Sequence, residues 1–176
     1  MIKYTRKKSI RLQNYDYAQN GLYFLTICTK NSQHLFGTVS NGKMRLNGAG
    51  EMIDSIWSKI PLFYDGFVLH DFVVMPNHFH AIIEIVLTHE QRTTTGGLSL
   101  QKQLTIPEII HRFKTLTTRK YIDGVYRNDW EGFHGKLWQR SYHEHIIRDD
   151  KSYEMIVEYV KNNPLRWVDD CYYGMK

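Results

Sequence analysis

Hydrophobic and polar positions change period along the chain, and this change predicts where strands and helices lie. Short runs rich in β-branched and aromatic residues favour strands. Five such runs occupy positions 22–28, 35–39, 44–46, 67–75 and 79–86. Asn41-Gly42 lies between the second and third runs and is a strong signal for a β-hairpin. Pro76-Asn77 separates the last two runs, which predicts neighbouring antiparallel strands.

Two longer segments repeat apolar residues at the i, i+3, i+4 spacing of an amphipathic helix. The first covers positions 49–60 and is predicted to end at Pro61. The second follows Thr105, which has the capping-box spacing with Glu108. Its apolar stripe runs through Leu116, and its other face is basic. The basic residues of that face are Arg112, Lys114, Arg119 and Lys120.

Strands and helices therefore alternate, with hairpins among the strands, and this order predicts an α+β fold. We expect an antiparallel sheet covered mainly on one face by helices, and a split βαβ, ferredoxin-like arrangement is the simplest match. A chain of 176 residues has room for one core, so residues 1–176 are interpreted as a single domain. That domain has a basic N-terminal segment and a polar loop near 88–103.

Charge and composition narrow the class of protein. Lys and Arg number 23 against 18 Asp and Glu, a net charge of +5, and aromatic residues make up 14% of the chain. Basic charge with many flat side chains suits single-stranded nucleic acid, although a solvated basic surface has the same composition. No apolar run approaches the roughly 20 residues of a membrane span. Cys28 and Cys171 form no disulfide framework, so we expect a cytosolic protein.

The sharpest candidate for chemistry is His78-Phe79-His80. Side chains two apart on a strand point to the same face, so the two imidazoles project together and supply half of a metal site. The alternative is a pair of hydrogen-bonded histidines beside the core. A second His-x-His at 143–145 shows that the pattern alone has low specificity.

A second candidate lies in the last predicted helix, which starts near Asp149 or Asp150 and ends at positions 162–164. Tyr159 and Asn163 are four residues apart and share one helical face. A tyrosine can act as a covalent nucleophile, and an asparagine carbonyl can contact a hard cation. The alternative is that Tyr159 belongs to an apolar stripe and Asn163 only ends the helix.

Taken together, several segments of the chain resemble the REP-associated tyrosine transposases, which belong to the HUH single-tyrosine transposases. The matching segments are 11–29, 73–80, 113–117, 138–140, 144–148 and 158–164. In this sequence Phe79 is the hydrophobic residue between the two histidines of the HUH motif. His145 matches a family position, but this sequence assigns it no role. His143 matches no family position, so the second His-x-His is interpreted as incidental.

The resemblance implies an HUH endonuclease fold and a metal-dependent enzyme. This enzyme nicks and rejoins single-stranded DNA at hairpins formed by REP-like palindromes, through a 5′-phosphotyrosine intermediate. Tyr159 corresponds to the nucleophile, and His78 and His80 to ligands of Mg²⁺ or Mn²⁺. Asn163 corresponds to a helical polar ligand that is Gln in many relatives. The resemblance also implies a cytoplasmic protein that associates with the nucleoid when it binds DNA. It is compatible with either a homodimer or a monomer.

Candidate DNA contacts combine the family's substrate with the basic residues of this chain. They are Arg6, Lys7, Lys8, Arg11, Arg112, Lys114, Arg119, Lys120 and Arg140. Trp138 is interpreted either as a stacking platform for a base or as a core residue.

Two other functions remain open. A domesticated nucleic-acid-binding protein would keep the fold without cleavage. A zinc hydrolase would use His78, His80 and a third ligand such as His70 or Glu84, and its activity would not need Tyr159.

Overall fold

A four-stranded antiparallel sheet organises the part of the chain that the computed structural model describes, residues 20–86 and 104–173. The strands are β1 (Gly21–Cys28), β2 (Gly37–Ser40), β3 (Lys43–Leu46), β4 (Phe67–Val74), β5 (His78–Ile85) and β6 (His143–Ile147). The helices are α1 (Gly48–Ser58), α2 (Ile60–Phe63), α3 (Ile106–Arg127) and α4 (Asp150–Asn162). Short 3-10 helices cover Lys30–Ser32 and Trp167–Asp169.

The strand order β4-β5-β1-β6 confirms the predicted ferredoxin-like arrangement. Each neighbouring pair is antiparallel. Consequently β1 and β4, which α1 connects, run parallel with β5 between them, and β5 and β6, which α3 connects, run parallel with β1 between them. These are two interlocked split βαβ units.

The predicted hairpin is also present and consists of β2 and β3, which form a separate two-stranded sheet. Asn41 and Gly42 have φ angles of 52° and 68°. Two consecutive positive φ angles define the type I′ turn, whose twist matches that of the flanking strands.

Helices α1 and α3 cover one face of the sheet through large aromatic side chains. The ring of Phe79 lies 4.9 Å from that of Trp57 on α1 and 5.4 Å from that of Phe113 on α3. The predicted end of the first helix is wrong in detail, because α1 ends at Ser58 and Pro61 lies in the first turn of α2. Proline is tolerated there because the first turn leaves backbone N–H groups unpaired. Leu116 is also misplaced by the pattern, since it is 44% exposed.

Helix α4 lies on the opposite face of the sheet, against β4 and β5. The side chain of Asp149 caps it by accepting a bond from the N–H of Ser152, and the helix ends before Asn163 as predicted. Val160 is the only one of its residues described as buried, and Met155 is 56% exposed. The other apolar residues of the helix are half-buried, as at Ile156 and Val157, or exposed.

Two predicted features lie outside the described residues, namely the basic N-terminal segment and the polar loop near 88–103. Within the described ranges, every helix is too short or too polar to cross a membrane.

Candidate metal centre and nucleophile

Strand β5 places two histidines on the face opposite the aromatic core. Because side chains alternate along a strand, Phe79 and Ala81 enter the core while His78 and His80 face α4. Both histidines are buried, and their ring centroids are 4.5 Å apart. Two imidazoles held side by side on a rigid strand provide two nitrogen ligands without further rearrangement.

The amide of Asn77 fixes which nitrogen of His78 is available. Its nitrogen donates to the carbonyl oxygens of Ser32 and Tyr172, so its Oδ1 faces His78 Nδ1 at 2.8 Å. An amide oxygen only accepts, and Nδ1 therefore carries the proton in neutral His78. The lone pair is then on Nε2, which is buried and has no hydrogen-bond partner among the described residues.

His80 connects the sheet to the candidate nucleophile. Its Nδ1 lies 2.8 Å from the hydroxyl of Thr26 on β1, and its Nε2 lies 3.2 Å from the hydroxyl of Tyr159 on α4. The ring also stacks on Phe24 at 5.2 Å, which limits its rotation. The two predicted motifs, distant in sequence, thus meet at one atom pair.

Asp170 completes the site, and sequence reasoning did not single it out. One of its carboxylate oxygens and one ring nitrogen from each of His78 and His80 all lie within 4.8 Å of one another, a grouping that can hold a metal ion. Asp170 follows the 3-10 helix Trp167–Asp169, which brings the chain back over the histidines after α4. No local pattern distinguishes this carboxylate from Asp169 beside it, so only the fold reveals it.

Asn163 lies at the end of α4 with its side chain buried in the same site. Its Nδ2 donates to Asp170 Oδ2 at 2.8 Å. Its Oδ1 is buried and has no hydrogen-bond partner within the described ranges. A buried amide oxygen without a partner costs about 1–3 kcal/mol, so this site holds polar atoms that a cation would satisfy.

Burial keeps the two histidines neutral. It lowers the pKa of His78 to about 4, against the opposing charge of Asp170, and holds the pKa of His80 well below its usual range. Neutral imidazole is the form that binds metal. The donor set of two imidazoles, a carboxylate and an amide oxygen therefore fits a divalent cation.

Tyr159 is a neutral phenol in this environment. Burial first, and then the negative charge of Asp170, raise its pKa to about 12. Neutralising Asp170 would remove one cause of that shift and favour the phenolate. The ring of Tyr172 lies near the same site, 4.6 Å from that of His78.

The predicted DNA contacts separate into distinct groups. Arg119 and Arg140 line a groove of about 620 Å³ beside α3, together with His111 and Lys136, which the sequence did not single out. Asp123 adds an acidic side chain to its walls. Residues 135–140, which line one side of the groove, lie next to the sheet. The N–H of Gln139 donates to the carbonyl of Cys28, and Cys28 pairs with His78.

Lys114 lines the same groove, but its ammonium group is already engaged. Nζ donates to the carbonyl oxygens of Gln139 and Ser141 at 3.0 and 3.1 Å, and burial lowers its pKa to about 8. Lys114 therefore holds the backbone of residues 139–141 in place and has less capacity to bind DNA. Trp138 is likewise a core residue, because it is buried and its Nε1 donates to the hydroxyl of Thr117.

The other predicted cations lie elsewhere. The guanidinium of Arg112 lies over the ring of Tyr64, and Lys120 is exposed and is not among the residues that line the groove. Arg6, Lys7, Lys8 and Arg11 lie outside the described residues.

His70 and Glu84, the suggested third ligands of a zinc site, pair with each other at 3.1 Å. Within residues 20–86 and 104–173, the carboxylate that groups with His78 and His80 is that of Asp170 instead.

Comparisons with known proteins indicate a family for part of the chain. The family model described as IS200-like transposase matches residues 97–163, which include Tyr159 and Asn163. An uncharacterized protein of Haemophilus influenzae Rd is 42% identical over 177 residues, covering 95% of this chain and 93% of its own length. Over residues 97–163 the chain thus matches the IS200-like transposase family, which agrees with the resemblance found in its sequence.

Two solved structures are similar at low sequence identity. One is a REP-associated tyrosine transposase bound to a REP hairpin, with a TM-score of 0.48, 20% identity, and coverage of 95% of this chain and 74% of that one. The other is a candidate transposase of Deinococcus radiodurans R1, with a TM-score of 0.46, 17% identity, and coverage of 86% and 95%.

Proposed function

We propose that this protein is a metal-dependent endonuclease and strand transferase that acts on single-stranded DNA at REP-like hairpins. Tyr159 is the nucleophile and forms a 5′-phosphotyrosine. The observation that supports this best is the Tyr159 hydroxyl, 3.2 Å from His80 Nε2 and beside a buried group of metal-ligating atoms.

His78, His80 and Asp170 hold the cation in this proposal, with Asn163 Oδ1 as a further ligand. The cation offsets the negative charge of the scissile phosphate, which otherwise repels an anionic nucleophile. Imidazole nitrogen suits transition metals and carboxylate oxygen suits Mg²⁺ and Mn²⁺, so the mixed set favours Mn²⁺ over Mg²⁺.

The chemical step exchanges one phosphate ester for another. Tyr159 loses its phenolic proton, and its oxygen attacks the phosphorus atom. The bond between phosphorus and the 3′ oxygen breaks, and that oxygen takes up a proton and leaves as a 3′-OH. Because the phosphotyrosine keeps an ester bond, a second strand's 3′-OH can reverse the step and rejoin the DNA without ATP.

The DNA contacts belong to the same proposal. Arg119, Arg140 and Lys136 supply cations for phosphates along the groove beside α3. Arg112 and Lys120, which are exposed, and the cations at positions 6, 7, 8 and 11 supply further phosphate contacts in this proposal. Most of these interactions go to the backbone and position the strand without reading its sequence.

The test uses a labelled single-stranded oligonucleotide that carries a REP-type hairpin and its flanks, incubated with purified protein. We expect nicking and a covalent adduct in Mn²⁺, and neither in excess EDTA. Mn²⁺ should also raise the melting temperature, because it binds only the folded state. Full nicking in EDTA would contradict the metal-dependent mechanism, and hairpin binding without nicking would favour the domesticated binder.

A zinc hydrolase is the second candidate, because two imidazoles and a carboxylate also make a catalytic zinc set. It predicts zinc retained through purification and hydrolysis that survives Tyr159→Phe. The nearness of the Tyr159 hydroxyl to His80 has no use in that reaction, so we rank it second.

A further inference from the structure

We propose that an irregularity in β4 forms a docking platform for α4, and that His70 is a positioning residue for Tyr159. The catalytic consequence rests on the proposed function, whereas the docking itself does not. Helix α4 carries Tyr159, yet Val160 is its only residue described as buried. Its other apolar side chains are half-buried or exposed, so polar contacts with β4 add to what holds the helix in position.

A β-bulge creates the platform. Leu69 pairs with Ile83, but the next pair is Phe72 with Ala81, so two residues of β4 face one residue of β5. The extra residue disturbs the alternation of side chains. As a result His70 and Asp71, which are adjacent in sequence, both contact α4.

His70 forms the stronger anchor because its ring is held from both sides. Nε2 lies 3.1 Å from the carboxylate of Glu84 on β5, and Nδ1 lies 3.0 Å from the hydroxyl of Tyr153 on α4. A carboxylate only accepts, so Nε2 donates, and in neutral His70 Nδ1 accepts from the phenol. One imidazole therefore connects the sheet to the helix in a fixed orientation.

Asp71 forms a weaker anchor on the other side of Tyr159. Its carboxylate lies 3.2 Å from Nζ of Lys161, whose side chain is 61% exposed. An exposed ion pair contributes little. Tyr153 and Lys161 lie six residues before and two residues after Tyr159, about 9 Å and 3 Å along the helix axis. The two anchors thus lie on either side of the nucleophile along the helix. Moving a catalytic group by about 1 Å from its reactive position is enough to slow a reaction about 100-fold.

The first measurement follows docking without any DNA. Hydrogen exchange of α4 amides is compared in wild type, His70→Ala and His70→Gln. Glutamine keeps a donor for Glu84 and an acceptor for Tyr153. We expect His70→Ala to speed exchange in α4 up to about tenfold, with α3 unchanged, and His70→Gln to restore the wild-type rate within about threefold. His143→Ala, an exposed histidine on β6, is the matched control and should change neither helix.

The second measurement follows adduct formation in a single turnover at saturating hairpin DNA. We expect His70→Ala to reduce this rate about 10- to 100-fold while the Kd for the hairpin stays within about twofold, and His70→Gln to recover most of the rate. His70→Ala and Tyr153→Phe remove the two ends of one contact, so their combined effect should be smaller than the product of the single effects.

Unchanged α4 exchange in His70→Ala would overturn the proposal, and so would faster exchange spread equally over α1 and α3. The proposal would also be overturned if the double variant slowed adduct formation by the full product of the two single effects. Failure of His70→Gln to recover the adduct rate would overturn it as well. If wild type forms no adduct, the proposed function fails, and the exchange measurement still decides whether His70 docks α4.

Discussion

The two faces of β5 carry opposite chemistry on alternate residues of the same strand. Phe79 packs against the rings of Trp57 and Phe113 and belongs to the apolar core. His78 and His80, its direct neighbours, are equally buried but face Asp170 and the nucleophile candidate of α4. One face therefore contains apolar contacts, and the other contains buried polar atoms that have no hydrogen-bond partner among the described residues.

This difference separates the source of stability from the source of function. The apolar face lowers the free energy of the folded state through burial. The polar face raises this free energy, because His78 Nε2 and Asn163 Oδ1 are removed from water and have no hydrogen-bond partner in the part of the chain that the structure describes. A protein that keeps such atoms buried in one place has a use for them there, and a bound cation is the use their chemistry fits.

Phe79→Ala should have the largest effect of the substitutions considered, because it leaves a cavity between two helices and the sheet. We expect the free energy of unfolding to fall by about 3–5 kcal/mol, measured by urea denaturation. Phe63→Ala, at a side chain that is 72% exposed, is the control and should cost much less. Similar losses for both variants would contradict the assignment of the core to this face.

Stability should depend on pH through the polar face. The folded-state pKa of His78 is lowered to about 4, so between pH 4 and 6.5 the unfolded chain binds a proton that the folded chain does not. The contribution of His78 to the free energy of unfolding is therefore fully present above pH 6.5. It is lost as the pH drops towards 4, by up to about 3 kcal/mol. Urea unfolding in EDTA at pH 7.5 and 4.5 measures this change. His78→Gln should lose less stability over that interval, and an equal loss in both proteins would refute the argument.

His78→Ala should remove metal-dependent function and leave the fold in place. We expect nicking to fall at least about 100-fold, since even outer-shell partners of metal ligands are worth 10- to 100-fold. Mn²⁺ should no longer raise the melting temperature of this variant, while its circular dichroism stays native. The exposed His143→Ala is again the control. Retained Mn²⁺ stabilisation in His78→Ala would place the ion elsewhere.

The groove beside α3 should contribute smaller, additive effects. Arg119→Ala and Arg140→Ala should each weaken hairpin binding about 3- to 10-fold and reduce the salt dependence of log Kd by about one unit of slope. Arg127→Ala, an exposed cation at the end of the same helix, is the control. Fluorescence anisotropy over a range of salt concentrations provides the values. An unchanged salt slope in both groove variants would show that DNA does not follow this groove.

Local patterns were sufficient to predict most of the fold. Runs rich in β-branched and aromatic residues located β1 to β5, Asn41-Gly42 located the hairpin, and Thr105 located the start of α3. Strand β6 was not predicted, because its short segment 143–147 begins with three polar residues and contains no such run. Pro61 misled because the residue that blocks one helix also suits the first turn of the next. The bulge between Leu69 and Phe72 had no sequence signal, because it is defined by the register against β5.

The site could be predicted only in part, for a related reason. His78, His80 and Tyr159 belong to recognisable motifs, and the structure brings them together. Asp170 reaches them through a return of the chain after α4, which no spacing rule anticipates. Tyr153, which an ideal helix turns away from the Tyr159 face, still reaches His70 because the bulge in β4 presents that side chain to it.

The most direct test of the central claim identifies the residue that becomes attached to DNA. Wild-type protein is incubated with hairpin DNA and Mn²⁺, the adduct is digested, and the modified peptide is sequenced by mass spectrometry. Tyr159 and Tyr172 both lie beside the histidines, so the experiment discriminates between two nearby phenols. We predict a 5′-phosphotyrosine on Tyr159, no adduct in Tyr159→Phe with hairpin binding retained, and normal adduct in Tyr126→Phe, a control whose side chain is 84% exposed. Adduct mapped to Tyr172, or adduct still formed by Tyr159→Phe, would contradict the account.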